Sequence, residues 1–280
     1  MTAVRDHDSI FRLDGRAYVI AGAGGGGIGT ATTELVASLG GRVLCADRDE
    51  QAAAEVAKDV GGVPFAGDIT DERDVEAMFD RAVSEFGRLD GVIDVVGGSR
   101  FTSIPELSLE EWHQQFASNL QHAFLIGKAA GLRLAERGGG SIVFVSSIAA
   151  FFGSRTHPAY SAAKLALVSW VRSLAEEFGP QAVRVNSVAP GATMTARLGS
   201  IWSAEGQAGM ARPAVLGRIG SALEIAGPIA FLLSDAAGNV TGQTLLADGG
   251  ASVKDPVYGS GTNPGGLEIR RRHHGEDERR

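Results

Sequence analysis

The chain reads as an α/β fold: one domain built on a parallel sheet of seven strands with helices on both faces. Three observations predict this. Seven short apolar runs, at 17–21, 42–46, 62–66, 91–96, 141–145, 183–188 and 244–247, have the length and composition of buried strands. The stretches between most of them, for example Ile28–Leu39, Asp71–Phe86 and Pro158–Phe178, carry helical periodicity. With 280 residues, 44% of them hydrophobic, the chain is long and apolar enough for one large core. Repeated strand–helix–strand units make the strands parallel, and such sheets bind ligands at the carboxyl ends of their strands.

A formal net charge of −7 argues against nucleic acid as a partner, because phosphate binding needs a basic face. Met1–Arg16 is polar and lacks the apolar core of a signal peptide. No stretch approaches the ~20 apolar residues of a membrane span, so a cytoplasmic protein is expected. Cys45 is the only cysteine, which excludes an intrachain disulfide, and no metal site is expected. Within Val43-Leu44-Cys45-Ala46 it reads as a small core residue.

Along the chain, the first strand runs into Ala21-Gly22-Ala23-Gly24-Gly25-Gly26-Gly27-Ile28-Gly29, which opens the first helix. Glycines let the backbone turn tightly and approach a pyrophosphate, and the helix amino terminus offers free N–H groups and a positive dipole end. Asp47 closes the second strand. A carboxylate there can accept both hydroxyls of an adenosine ribose and would repel a 2′-phosphate, whereas Arg48 beside it could bind that phosphate. Ile142-Val143-Phe144-Val145 ends in Ser146-Ser147, placing a hydroxyl at the carboxyl end of a buried strand. Pro158 suits the first turn of the next helix, where Tyr160 and Lys164, four apart, share a face. A phenol titrates near pH ~10, and a fixed ammonium beside it favours the phenolate. That makes Tyr160 a group able to exchange a proton with an alcohol or ketone, with Ser147 holding the substrate oxygen. From Val253 to Arg280 the composition turns to Gly, Pro, Ser and Asn and then to charge, through Arg270-Arg271-Arg272-His273-His274. This reads as a flexible tail beyond a domain spanning 1–252, and the histidine pair as a solvated segment.

Tyr160-Ser161-Ala162-Ala163-Lys164, with Ser147 upstream and Asn119 earlier still, resembles the short-chain dehydrogenase/reductase family, whose active site is an Asn-Ser-Tyr-Lys tetrad. The likeness runs from Leu13 or so to Ser252. It implies a Rossmann-type doubly wound domain, with Tyr160 as general acid/base and Ser147 as the hydroxyl that orients the carbonyl. It implies that Lys164 lowers the phenol pKa and binds the nicotinamide ribose, and that Asn119 holds a water linking Lys164 to solvent. By itself Asn119 reads as an ordinary exposed helical residue. Cofactor contacts are implied at Gly22, Gly27 and Ile28, at Asp47 and Arg48, at the adenine-binding pair Asp68-Ile69, and at Gly97. They continue along Pro190-Gly191-Ala192-Thr193-Met194-Thr195, where Thr195 matches the residue that holds the nicotinamide carboxamide. Asp68 also reads as part of an N-cap region before Asp71. Residues 196–216 match a substrate lid. Leu198, Ile201, Trp202, Met210 and Val215, with Phe151, Phe152 and Met194, fit either a pocket for a mainly hydrophobic molecule or oligomer contacts.

The chain departs from the family pattern twice. Where the family has Thr-Gly-x-x-x-Gly-Ile-Gly, Gly27-Ile28-Gly29 fits the end and the loop from Gly22 holds one extra residue, which consecutive glycines absorb. Where the family has Asn-Asn-Ala-Gly, this chain has Asp94-Val95-Val96-Gly97. A buried carboxylate must find donors or take a proton, and Asp94 reads as a structural oddity, not a second catalytic acid. The expected function is reversible hydride transfer between NAD(H) and a secondary alcohol/ketone pair. NAD is favoured over NADP because no Lys or Arg in the glycine loop assists Arg48. One alternative is an NAD-sensing protein without turnover, which would have no use for the four tetrad residues together. Another is an epimerase, dehydratase or enoyl reductase on the same scaffold, which usually differs in substrate region or Tyr–Lys spacing. The family also implies a homotetramer, with the helices bearing Asn119 and Tyr160 as contact surfaces.

Overall fold

The computed structural model describes residues 7–253. The chain runs β1 (Ala17–Ala21), α1 (Ile28–Ser38), β2 (Arg42–Asp47), α2 (Glu50–Val60), β3 (Val63–Ala66), α3 (Glu72–Phe86), β4 (Gly91–Asp94), α4 (Leu109–Phe116) and α5 (His122–Glu136). It continues through β5 (Gly140–Val145), α6 (Pro158–Phe178), β6 (Val183–Pro190), β7 (Thr193–Met194), α7 (Ala196–Ile201), α8 (Ala204–Ala211), β8 (Gly220–Ser221), α9 (Ala222–Leu233) and β9 (Thr244–Ala247). From residue 254 onward, the expected tail lies outside the described residues.

Seven strands form one parallel sheet in the order β3-β2-β1-β4-β5-β6-β9. The five inner strands read as continuous apolar runs because both their faces are covered, whereas the edge strands β3 and β9 are half exposed. Val19, Ala21, Leu44, Ala46, Val92, Ile142 and Phe144 pack with Met78, Phe79, Ile126 and Leu167 of α3, α5 and α6. Their alternating neighbours Tyr18, Ile20, Val43, Cys45, Ile93 and Val143 pack with Val36, Val56, Ile225 and Ile229 of α1, α2 and α9. Cys45 is thus a core residue, and burial pushes its thiol up to about 12. β1 pairs with both β2 and β4, Ala21 standing opposite Ala46 and Asp94. The winding direction reverses there, which opens a crevice at the carboxyl ends of these strands.

Local chemistry sets the ends of the elements. Asp49 caps α2 and Asp71 caps α3, each side chain accepting an amide from the first turn, and both helices end at left-handed glycines, Gly61 and Gly87. Pro158 occupies the first turn of α6. The fourth strand, expected to reach residue 96, stops at Asp94. Its carboxylate accepts the Val96 amide at 3.0 Å and turns the chain out of the ladder. β6 runs past 188 to Pro190, because Ala189 and Pro190 still pair with Leu246 and Ala247 of β9. The small β7–β8 ladder, Thr193 against Gly220 and Met194 against Ser221, has no periodicity long enough to be seen in the sequence. Among the described residues no helix is long and apolar enough to cross a membrane.

Candidate active site

The crevice is a cleft of about 720 Å³ at the carboxyl ends of β1, β2, β3 and β4. Gly22, Gly24, Asp47, Arg48, Asp68, Ile69 and Gly97 line it, together with Thr70, Gln114, Ala117 and Ser118, which sequence reasoning missed. Gly22 has φ +82°, and a Cβ there would stand 2.8 Å from a Val96 methyl. Only glycine fits between β1 and the turn after β4. Gly27 stands at the N-cap of α1 and offers no side chain, so the first turn of this helix faces the loop without a side-chain cap.

Asp47 accepts the Gly24 amide on Oδ2 at 3.0 Å and the Asp49 amide on Oδ1 at 3.1 Å. Each carboxylate oxygen has a second lone pair, so the group can hold the glycine loop and still accept ribose hydroxyls. Arg48 is exposed, and its charge helps hold the Asp68 carboxyl below its ordinary range, after the larger effect of the Thr70 hydroxyl and amide. Asp68 accepts both Thr70 groups, at 2.7 and 2.9 Å, so it builds a turn in the cleft wall, while Asp71 is the N-cap of α3. On the opposite side, Gly191 donates its amide to Ala247 of β9, Thr193 is buried, and Thr195 caps α7. A Cβ on Gly27 would lie 3.7 Å from the Thr195 methyl, and the Ala196 amide donates to Gly26 O at 3.3 Å, so this segment folds onto the glycine loop.

The tetrad residues come from three elements. Ser147 follows β5 and caps a short 3-10 helix at Ile148–Phe151, its hydroxyl accepting the Ala149 amide at 3.2 Å. Tyr160 is half-buried; burial raises its phenol above the ordinary value and the Ser147 contact draws it down. Lys164 Nζ lies 5.9 Å from the Tyr160 ring centre and donates to the Val145 carbonyl at 2.9 Å and to Val96 O at 3.5 Å. Burial lowers this ammonium to about 8, opposed by the charge of Asp94.

Asn119 is fully buried, not exposed as an isolated reading has it. It lies in a π-helical turn, Ala117–Gln121, between α4 and α5. Its Oδ1 accepts the Gly98 amide at 2.9 Å, and its amide reaches Gln115 O at 2.9 Å and Gly98 O at 3.1 Å. The side chain therefore braces the loop after β4. Gly97 lets the parts meet: a Cβ there would stand 2.7 Å from Asn119 Oδ1 and 2.8 Å from Lys164 Nζ. Two further residues went unread in the sequence. His157 lies between Phe101 and Tyr160, with ring centres 5.6 and 5.7 Å away, and burial lowers its imidazole. His122 pairs with Asp94 in the core, and a lone buried charge at Asp94 was the signal to look for it. Val215, expected either in the substrate pocket or at an oligomer contact, lines a groove with Leu216, Leu246 and Val253. Phe151, Phe152 and Met210 are exposed. Among the described residues no three His, Cys, Asp or Glu side chains gather as a metal site.

A crevice at the switch point of a doubly wound sheet, with a Ser–Tyr pair and a buried lysine at its edge, defines a dinucleotide-dependent class of enzyme. The family model described as Enoyl-(Acyl carrier protein) reductase matches residues 22–252. D-threitol dehydrogenase of Mycolicibacterium smegmatis is 36% identical over 88% of this chain and 96% of its own. A Bradyrhizobium diazoefficiens protein named a probable short-chain type dehydrogenase/reductase is 38% identical over 90% and 92%. The solved 7α-hydroxysteroid dehydrogenase, complexed with NADH and 7-oxo glycochenodeoxycholic acid, superposes with a TM-score of 0.81 at 31% identity, covering 87% of this chain and 96% of that one. The chain belongs to the short-chain dehydrogenase/reductase family of oxidoreductases.

Proposed function

We propose that the chain transfers hydride between NAD(H) and a secondary alcohol/ketone pair, with Tyr160 exchanging the proton. The observation that carries this reading is the pairing of Tyr160 with the buried Lys164, whose ammonium lies 5.9 Å from the phenol ring centre and reaches Val96 O in the wall of a glycine-lined cleft. The cleft fits a dinucleotide: Gly25 and Gly98 line it and a Cβ on either would stand in open space, so the bare backbone there is open to close approach, and Asp47 keeps acceptor capacity toward it. When bound, the nicotinamide supplies or accepts the hydride. Ser147 then donates a hydrogen bond to the carbonyl oxygen, Tyr160 gives that oxygen its proton in reduction or takes it in oxidation, and Lys164 holds a positive charge behind the phenol. Asn119 fixes the loop that carries Gly97 and Gly98.

NAD is favoured over NADP because Asp47 lies at the strand end while Arg48 is exposed and shares its field with Asp68. A largely apolar substrate is supported by Phe101, Phe151, Phe152 and Met210, all exposed, and by the aromatic contact of His157 with Tyr160. The enoyl-reductase description of the matching model is a different reaction. The four-residue spacing of Tyr160 and Lys164, with Ser147 drawing the phenol pKa down, supports carbonyl chemistry instead. A turnover screen of secondary alcohols and ketones with both cofactors tests the reading. Absence of turnover on every carbonyl, alongside tight NAD binding, would favour a sensor.

The same proposal includes a homotetramer. Exposed Leu109 and Trp112 on α4, Phe124 and Leu132 on α5 and Leu165 on α6 offer apolar contact area on the helices that flank Asn119 and Tyr160. A solution mass of one chain would refute it. It also treats 1–252 as the catalytic unit. The Gly, Pro and charge content of Asp255–Arg280 provides little apolar area, so its deletion is expected to leave melting temperature and assembly nearly unchanged. A marked drop in either on calorimetry or mass measurement would show that this segment docks.

A further inference from the structure

Asp94 ends β4 at the switch point of the sheet, and its side chain is wholly buried. A carboxylate in that position needs donors. It has two: His122 Nδ1 lies 2.7 Å from Oδ2, and the Val96 amide donates to Oδ1 at 3.0 Å. A carboxylate only accepts, so the hydrogen of this contact sits on His122 Nδ1. The other ring nitrogen, Nε2, is buried without a hydrogen-bond partner among the described residues. The hydrogen bonding of the ring is therefore directed at Asp94.

The far side of the same turn reaches the candidate active site. Val96, whose amide Asp94 holds, turns its carbonyl to Lys164 Nζ. Gly97 comes next and is the point where Asn119 and Lys164 close on the backbone. His122 begins α5, three residues after Asn119. One contact thus ties the strand-end turn beneath Lys164 to the helix that continues from Asn119.

We propose that Asp94 and His122 form a buried positioning pair in which the Asp94 carboxylate is the counter-charge of the Lys164 ammonium and His122 holds that carboxylate in place. Its consequence for turnover rests on the oxidoreductase reading, whereas the electrostatic coupling does not. The lowering of Lys164 to about 8 by burial is opposed by Asp94. The groups placed around Lys164 come from several elements. β4 brings Asp94, its own helix brings Tyr160, and α5 brings His122 behind Asp94, while β5 and the 117–121 turn bring the Val145 carbonyl and Asn119, which carry no net charge. Asp94 is thus the carboxylate that keeps the ammonium charged.

The test uses Asp94→Asn, which keeps the shape and an acceptor for the Val96 amide and removes the charge. The chain has four lysines, Lys58, Lys128, Lys164 and Lys254, so ¹³Cε-lysine NMR of the cofactor-free protein resolves them, with Lys164→Met identifying the buried one. Its signal is expected to titrate near pH 8 in the wild type. In Asp94→Asn the midpoint falls by about one pH unit, the lower end of what an opposite charge within a few ångströms supplies. His122→Leu moves it the same way, because Asp94 loses the donor that holds its carboxylate in place. His122→Asn, whose amide can replace the Nδ1 donor, stays near wild type. In ketone reduction, the alkaline fall of kcat/KM moves by the same amount as the NMR midpoint. If His122→Leu does not fold, Asp94→Asn carries the test alone. An unchanged Lys164 midpoint in Asp94→Asn overturns the proposal. A shifted midpoint in a chain that reduces no carbonyl upholds the pair and removes the oxidoreductase reading.

Discussion

Tyr160→Phe is expected to lower ketone reduction by at least ~10²-fold, the lower end of what a positioned acid or base contributes, while NAD binding stays near wild type. The ring is retained, so its contact with His157 and its place on α6 survive. Only the phenol hydroxyl is lost. Burial raises the phenol, so at neutral pH it carries its proton, which is the form that gives a proton to a ketone. Reduction is accordingly the direction to measure first. Ser147→Ala is expected to act in the same direction, because it removes both the oxygen proposed to orient the substrate and the group that draws the phenol down. Near-normal turnover by Tyr160→Phe, at unchanged cofactor affinity in a fluorescence titration, would remove Tyr160 from the chemistry.

Asp47→Ser is expected to narrow or reverse the cofactor preference, which in the wild type is expected to favour NAD over NADP by ~10-fold or more in kcat/KM. A 2′-phosphate at the end of β2 would meet the Asp47 carboxylate. Two unit charges ~4 Å apart at an effective dielectric of about 20 repel by roughly 4 kcal/mol before screening and relaxation. Arg48 offsets little of this, because an exposed ion pair contributes ~1 kcal/mol or less, and Arg48 already acts on Asp68. The substitution also removes the acceptor that holds the Gly24 amide, so NAD affinity falls as well. Kinetics with both cofactors on wild type and variant decide the point: equal or better use of NADP by the wild type would mean that Arg48, and not Asp47, governs the ribose.

Much of the fold was legible because its signals are local. A strand buried on both faces is a continuous apolar run, a helix repeats at its own period, and a glycine series between the two marks a backbone brought close to something else. Helical spacing alone put Tyr160 and Lys164 on one face, and the run Ile142–Val145 put Ser147 at a strand end. Where a strand stops was less legible: β4 ends at Asp94 because a side chain captures the amide two residues on, a competition that composition does not reveal.

What the sequence by itself determined are the elements and the residue types at their ends, since these follow from periodicity and from the conformational freedom of single residues. What only the tertiary structure decided are the partners. Lys164 sits among the Val145 and Val96 carbonyls, Asn119 braces Gly98 from a π turn, and Asp94 meets His122 across 28 residues. Val215 lies in a groove apart from Tyr160. The physical reason is that a buried polar group takes whichever donor, acceptor or charge the packed layers bring within reach, and that neighbourhood arises from sheet order and helix packing, not from separation along the chain.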